Sequence, residues 1–190
     1  DGAGTFDTVQ HDAANSRLVF TDGASGLVER YQDSGAGRLL SSLDTSGNSM
    51  TYGYDANGKL ERIDNANGET TFFDYASGNL TQVRTVYTAN SVSTTLTRVR
   101  YTYDASNRLT QVKVDLTPGD NSVSDGATYT TSYTYDGTSR RIASVSQSDG
   151  TSLVITYVQV GADYRIASLT DALSQTTQFS YDTTNRQTTV

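Results

Sequence analysis

Few side chains in this sequence carry the chemistry of catalysis. His11 is the single histidine, and with Asp7 and Asp12 nearby it is the one place for an imidazole base. A triad also needs an oriented nucleophile and an oxyanion hole, which a repeating strand does not supply, so His11 reads as an exposed turn residue. Eighteen aspartates offer carboxylate pairs of the kind that glycoside hydrolysis uses. Most recur at turn positions, where Asp accepts hydrogen bonds from its own backbone. Two segments, Asp64 to Glu69 and Asp115 to Asp125, concentrate the oxygen ligands that calcium takes. Neither has the spaced acidic positions of an EF-hand loop, and the first is one copy of a recurring turn. The chain has no cysteine, which removes disulfides, thiolate nucleophiles and Cys-ligated metals. These residues predict no catalytic, cofactor or metal site, and so no enzyme.

The composition restricts partners further. Fourteen basic against 21 acidic residues give a net charge of -7, and without a basic cluster there is little counterion release to drive nucleic-acid binding. No apolar run reaches the roughly 20 residues of a membrane-spanning helix, and no signal-peptide pattern opens the chain. Leu, Ile, Val and Phe make up 37 of the 190 residues, a share close to that of disordered chains. Thirteen Tyr and 30 Thr offset this, since both are strand formers.

The elements that would position these residues repeat. Leu18, Leu39 and Leu60 follow at steps of 21, Leu80 after 20, and Gly26, Gly47 and Gly68 again at 21; such a period decides architecture. The fullest copy runs from Tyr54-Asp55 through Gly58, Leu60 and Ile63 to the strand that ends at Tyr75. Later copies are Tyr103-Asp104 with Leu109, Tyr135-Asp136 with Ile142, and Tyr181-Asp182; Ile166 is a further anchor.

The pattern Tyr-Asp-x-x-Gly/Asn-Arg/Lys-Leu-x-x-Ile/Val resembles the YD repeat of the Rhs family, which includes bacterial Rhs polymorphic toxins, the B and C components of Tc toxins and teneurins. The resemblance covers nearly the whole chain in about seven units. It implies a long antiparallel sheet winding as a spiral into a hollow shell, with the repeats as scaffold and no active site in them. Family members of the toxin type enclose a C-terminal toxin and are processed around Asp-Pro motifs. The single proline, in Thr117-Pro118, does not supply such a motif.

The residues alone lead to the same architecture. Each unit has two turn signals, such as Asp55 to Gly58 and Asn65 to Gly68, where Gly or Asn takes the positive φ that hairpin turns demand. Between them lie strand-like runs such as Glu69 to Tyr75, and alternation along Tyr129, Thr131, Tyr133 and Tyr135 places a Tyr ladder on one face. The step of three in Leu60 to Ile63 would split the pair between faces of a regular strand, so a β-bulge after the turn is expected. The Tyr-Asp pair is structural: Asp caps the turn, and the Tyr ring covers the neighbouring strand while its hydroxyl finds a partner. Such Tyr and Asp arrays also build sugar-binding surfaces. Asn79-Leu80-Thr81 matches a glycosylation acceptor by coincidence with a repeat anchor.

The expectation is an all-β chain of tandem hairpins in a long twisted antiparallel sheet, part of a spiral shell or fibre, with less than about 5% helix. Residues 1–190 read as one repeat segment and as a fragment of a longer secreted or cell-surface protein, with a hairpin extension at 86–97 and a loop insertion at 116–127. Expected partners are further YD repeats of the same protein, an enclosed toxin domain, neighbouring chains or surface glycans. The alternative reading is a carbohydrate-binding or adhesive surface module. Leu39, Leu60, Leu80, Leu109, Ile142 and Ile166 are expected in equivalent, mostly buried sites, where truncation costs about 2 to 4 kcal/mol. The terminal strands, near Leu18 to Phe20 and near Phe179 to Tyr181, are expected to be open edges.

Overall fold

The structure, a computed structural model, describes residues 6–190. Its strands are β1 (Thr8–Asp12), β2 (Arg17–Thr21), β3 (Val28–Gln32), β4 (Leu39–Leu43), β5 (Ser49–Tyr54), β6 (Leu60–Asn65), β7 (Glu69–Ala76), β8 (Asn79–Ala89) and β9 (Val92–Tyr103). They are followed by β10 (Leu109–Asp115), β11 (Thr128–Tyr135), β12 (Ile142–Gln147), β13 (Ser152–Val160), β14 (Asp163–Asp171) and β15 (Thr176–Gln178). β1 to β15 hydrogen-bond in chain order as one antiparallel sheet, and β16 (Ser180–Asp182) pairs with β17 (Gln187–Thr189). Among the described residues helix is confined to two single 3-10 turns, Ala13–Asn15 and Pro118–Asp120. Contacts divide the chain into two compact units, one of Asp1–Ala76 with Val83–Leu96 and one of Ser77–Gln82 with Thr97–Val190.

The turns are made where Gly or Asn was expected. Gly47, Gly58 and Gly68 have φ of 85°, 79° and 79°, and Asn107 takes the same position with φ of 57°. The β8–β9 connection turns on Asn90 and Ser91, both at positive φ, the backbone of the two-residue hairpin turn whose twist matches the strands. Between β10 and β11 the loop closes with the Leu116 N–H on the Ala127 carbonyl, 2.9 Å. Pro118 opens the 3-10 turn of this loop, outside the ladder.

The step of three resolves as a bulge. Tyr52 and Tyr54, two apart on one face of β5, pair with Ile63 and Leu60, three apart on β6, and the register shifts between them. One extra residue, Glu61, therefore lets both apolar side chains face the same way. The same shift sets Tyr31 against Leu39, Tyr103 against Leu109, Tyr135 against Ile142 and Tyr157 against Ile166.

Two expectations are corrected. All six anchor residues, Leu39, Leu60, Leu80, Leu109, Ile142 and Ile166, share one burial class, but it is half-buried. Among the described residues no hydrophobic side chain is fully buried; the buried ones are Thr85, Thr97 and Asp115. Within each unit the strands contact their neighbours in sequence, so an anchor is covered laterally by adjacent rows. The edges differ as well. β2, with Leu18 to Phe20, is paired on both sides, by β1 and by β3; β1 has no copy of the motif and so gave no sign of itself. Tyr181 lies in β16 and is paired with Thr188 of β17.

Half-burial sets the cost of truncation. Leu60→Ala removes a partly exposed side chain and leaves no closed cavity, so it should cost about 1 to 2 kcal/mol, read from the urea midpoint at unchanged slope. A loss of about 4 kcal/mol would reveal a second layer on this face.

Candidate functional site

The chemistry of the repeat begins at its turns. Asp55 Oδ1 accepts the N–H groups of Asn57 (2.9 Å) and Lys59 (2.8 Å), and its carbonyl accepts the Gly58 N–H (2.9 Å). Asp104 repeats this with Ser106 (2.8 Å) and Arg108 (3.0 Å), and Asp182 with Thr184 and Asn185. Asp136 instead holds Arg141 at 2.6 Å, and its carbonyl takes the Ser139 hydroxyl. At the opposite strand ends Asp44, Asn65 and Asp171 cap in the same way. The backbone N–H of Arg108 followed by its guanidinium holds the Asp104 carboxyl below the usual range. The N–H and side-chain amide of Asn185 do so for Asp182, and the side-chain amide of Asn48 leads for Asp44.

The tyrosine of each unit reaches across the sheet. Tyr54 donates its hydroxyl hydrogen to the Leu39 carbonyl (2.8 Å), Tyr75 to Leu60 (3.0 Å) and Tyr103 to Leu80 (2.9 Å). Tyr135 donates to Leu109 (2.7 Å), Tyr157 to Ile142 (2.8 Å) and Tyr181 to Ile166 (2.8 Å). Each of the six anchors from Leu39 to Ile166 thus has a tyrosine on its carbonyl, a lock of one hairpin onto another. The reason lies in the register. β4 and β5 pair from Leu43 and Ser49 to Ser41 and Thr51, and Leu39 lies two residues further on while Tyr54 lies three. The same offsets hold for β6–β7, β10–β11, β12–β13 and β14–β15. Where the bulge carries one strand out of the ladder, a hydroxyl takes the place of the missing backbone donor.

A cation completes the arrangement. Arg38, Lys59, Arg108, Arg141 and Arg165 sit over the rings of Tyr54, Tyr75, Tyr135, Tyr157 and Tyr181, at 5.4, 4.9, 4.6, 5.5 and 5.1 Å from the centroid. Each is the residue before the anchor whose carbonyl that same tyrosine holds, so one ring grips two consecutive residues of another strand. In the copy at Leu80 the preceding residue is Asn79, which donates to the Asn107 side chain in the turn after Tyr103 (3.0 Å). Gly58 is favoured by its positive φ, and a Cβ there would displace the end of the flexible Arg38 side chain.

Sequence reasoning missed Tyr157, which lacks the following Asp, and gave the Arg/Lys position of the motif no role. The step of 15 shared by Leu39 to Tyr54, Leu60 to Tyr75, Ile142 to Tyr157 and Ile166 to Tyr181 was the signal that would have found Tyr157.

The other chemical candidates do not converge. His11 Nε2 shares a hydrogen bond with Asp33 (3.0 Å), while Asp7 accepts the Gly23 N–H and Asp12 accepts from Asn15 and Arg17. Asp115 is buried beside Arg100 (3.5 Å), and Asp120 and Asp125 cap N–H groups within their own loop. Among the described residues no group of three or more His, Cys, Asp or Glu is placed to hold a metal ion.

A family model described as RHS Repeat matches residues 34–70, the stretch that holds the first lock and the second anchor. Residues 34–70 are thus similar to the RHS repeat. Among solved structures, TcdB2-TccC3 without its hypervariable C-terminal region shares the fold of this chain with a TM-score of 0.55 and 13% identity, over 93% of this chain and 11% of that one. The Photorhabdus luminescens Tc holotoxin pore aligns with a TM-score of 0.43 and 16% identity, over 96% of this chain and 12% of that one. No curated protein sequence matches. The chain spans about a tenth of the solved chains it resembles.

The capped turns make stability acid-sensitive. A carboxylate whose folded value lies below its unfolded one stabilises the fold above the unfolded value and loses that contribution as pH falls through the folded one. The melting temperature should therefore hold from neutral pH to the ordinary carboxylate range and drop below it, with a shallower drop in Asp104→Asn, which keeps a neutral acceptor. A melting temperature flat down to strongly acidic pH would contradict the capping role.

Proposed function

We propose that this chain is a non-enzymatic scaffold: a stretch of repeat wall in a larger secreted or cell-surface protein of the Rhs/YD type, whose sheet encloses or presents a toxin or effector domain. The observation that carries the reading is the sixfold repetition of one hydroxyl-to-carbonyl bond at every anchor. Selection on a catalytic site concentrates unusual geometry at one place, whereas here the same geometry recurs along the sheet. The fold shared with TcdB2-TccC3 supports the wall reading, and the RHS Repeat match agrees with it. Among the described residues no helix is long and apolar enough to cross a membrane. The carbohydrate-binding alternative is less favoured, because the motif hydroxyls are donated to backbone and five of the six rings carry a cation.

Limited proteolysis of the intact polypeptide that carries these repeats tests the reading. A C-terminal domain protected from protease in the native protein, and cut promptly once the repeats are unfolded, is expected. Cleavage at the rate of the isolated domain, or saturable glycan retention by the repeats, would contradict it.

A further inference from the structure

The sequence joins asparagine to glycine at Asn57-Gly58 and at Asn67-Gly68, and both asparagine side chains are exposed to water. Such a pair can react with itself. The glycine nitrogen, once hydroxide takes its proton, attacks the asparagine Cγ. A C–N bond forms, the Cγ–Nδ2 bond breaks, and ammonia leaves with a proton from water. The cyclic imide then takes up one water molecule and opens at Cγ to aspartate, or at the asparagine main-chain carbonyl to isoaspartate. Glycine permits the closure because it has no Cβ to obstruct the ring.

The two turns hold the attacking nitrogen with different strength. The Gly58 N–H donates to the Asp55 carbonyl at 2.9 Å, and the Gly68 N–H to the Asn65 carbonyl at 3.2 Å. In the first turn the Asp55 carboxylate accepts the N–H groups of Asn57 and Lys59, at 2.9 and 2.8 Å. In the second the Asn65 amide oxygen accepts those of Asn67 and Glu69, both at 3.0 Å. A hydrogen bond to a carboxylate is the stronger kind. The first turn is also tied into a lock, since the Arg38 guanidinium lies against Gly58 and over the Tyr54 ring. Gly68 is exposed, and apart from its chain neighbours no atom lies within 4 Å of where its Cβ would stand. The nitrogen must leave its hydrogen bond before it can attack, and local opening is easiest where backbone bonds are exposed and packing is sparse.

We propose that Asn67 is a site of spontaneous deamidation, with water as the only co-reactant and hydroxide as catalyst, and that the Asp55 cap and Arg38 protect Asn57 from the same reaction. The product alters the sheet where it forms. Either product places a new carboxylate near Glu69, and isoaspartate also puts an extra atom into the backbone of the turn between β6 and β7. The N–H groups held by Asn65 and the nearest ladder pair, Asp64 with Thr70, are the first to be disturbed.

Incubation of the full chain at physiological temperature and mildly alkaline pH, followed by peptide mass spectrometry that separates aspartate from isoaspartate, tests the proposal. Deamidation at Asn67 is expected to be about fivefold or more faster than at Asn57, and faster still as pH rises. In urea the two sites, Ala-Asn-Gly in both cases, should react at closely similar rates. Exchanging the caps should narrow the gap in the folded chain: Asn65→Asp slows the reaction at Asn67, and Asp55→Asn speeds it at Asn57, with circular dichroism as in the parent. Equal rates at the two sites of the folded parent would overturn the proposal, as would a preference for Asn67 that persists unchanged in urea, or a rate at Asn67 that a folded Asn65→Asp chain leaves unmoved.

Discussion

A β-bulge frees a backbone carbonyl, and a freed carbonyl must find a donor. The rest of this structure follows from that constraint. The bulge is needed because the anchor and the residue three further on must share a face, as Leu60 and Ile63 do opposite Tyr54 and Tyr52. It carries the strand out of register with its other neighbour, and the anchor carbonyl is left beyond the end of the ladder. The tyrosine hydroxyl of the next hairpin meets it in all six anchored copies. The aspartate after the tyrosine closes the turn, and the cation before the anchor covers the ring. The short motif thus specifies one connected device: ring, cap, left-handed residue, cation and carbonyl.

Such a device matters more here than in a layered protein. No hydrophobic side chain among the described residues is fully buried, so the usual dominant contribution to stability is reduced. What remains are nearest-neighbour contributions, as in other repeat architectures. A hydrogen bond to a half-buried carbonyl contributes about 1 kcal/mol, and a cation on a ring about 0.5 to 1 kcal/mol. Summed over the copies these rival the net stability of an ordinary domain.

Much of this was legible in the sequence. Gly58 and Asn107 announced the turns, Tyr-x-Tyr the strand face, and the step of three from Leu60 to Ile63 the bulge, because each is a local pattern with few physical solutions. Burial was not legible: Leu60 is as apolar half-buried on a sheet as in a core. Nor was the lock, since Tyr75 and Leu60 carry no charge or polarity match that marks them as partners. The acceptor is a backbone atom, which every residue has. Only the register makes that carbonyl available. β1 was missed for a related reason: pairing to an edge requires backbone alone, and His11 opposite Leu18 follows no motif.

The wall reading and the lock stand or fall on whether the hydroxyls hold the hairpins together. The most direct measurement is equilibrium unfolding of the chain in which Tyr54, Tyr75, Tyr103, Tyr135, Tyr157 and Tyr181 are all replaced by Phe, which removes six oxygens and keeps every ring. Loss of the cooperative transition, or a fall in stability of about 6 kcal/mol or more, is the predicted result. An unfolding curve that overlays the parent would show that the rings alone suffice and that the carbonyls find their donors in water.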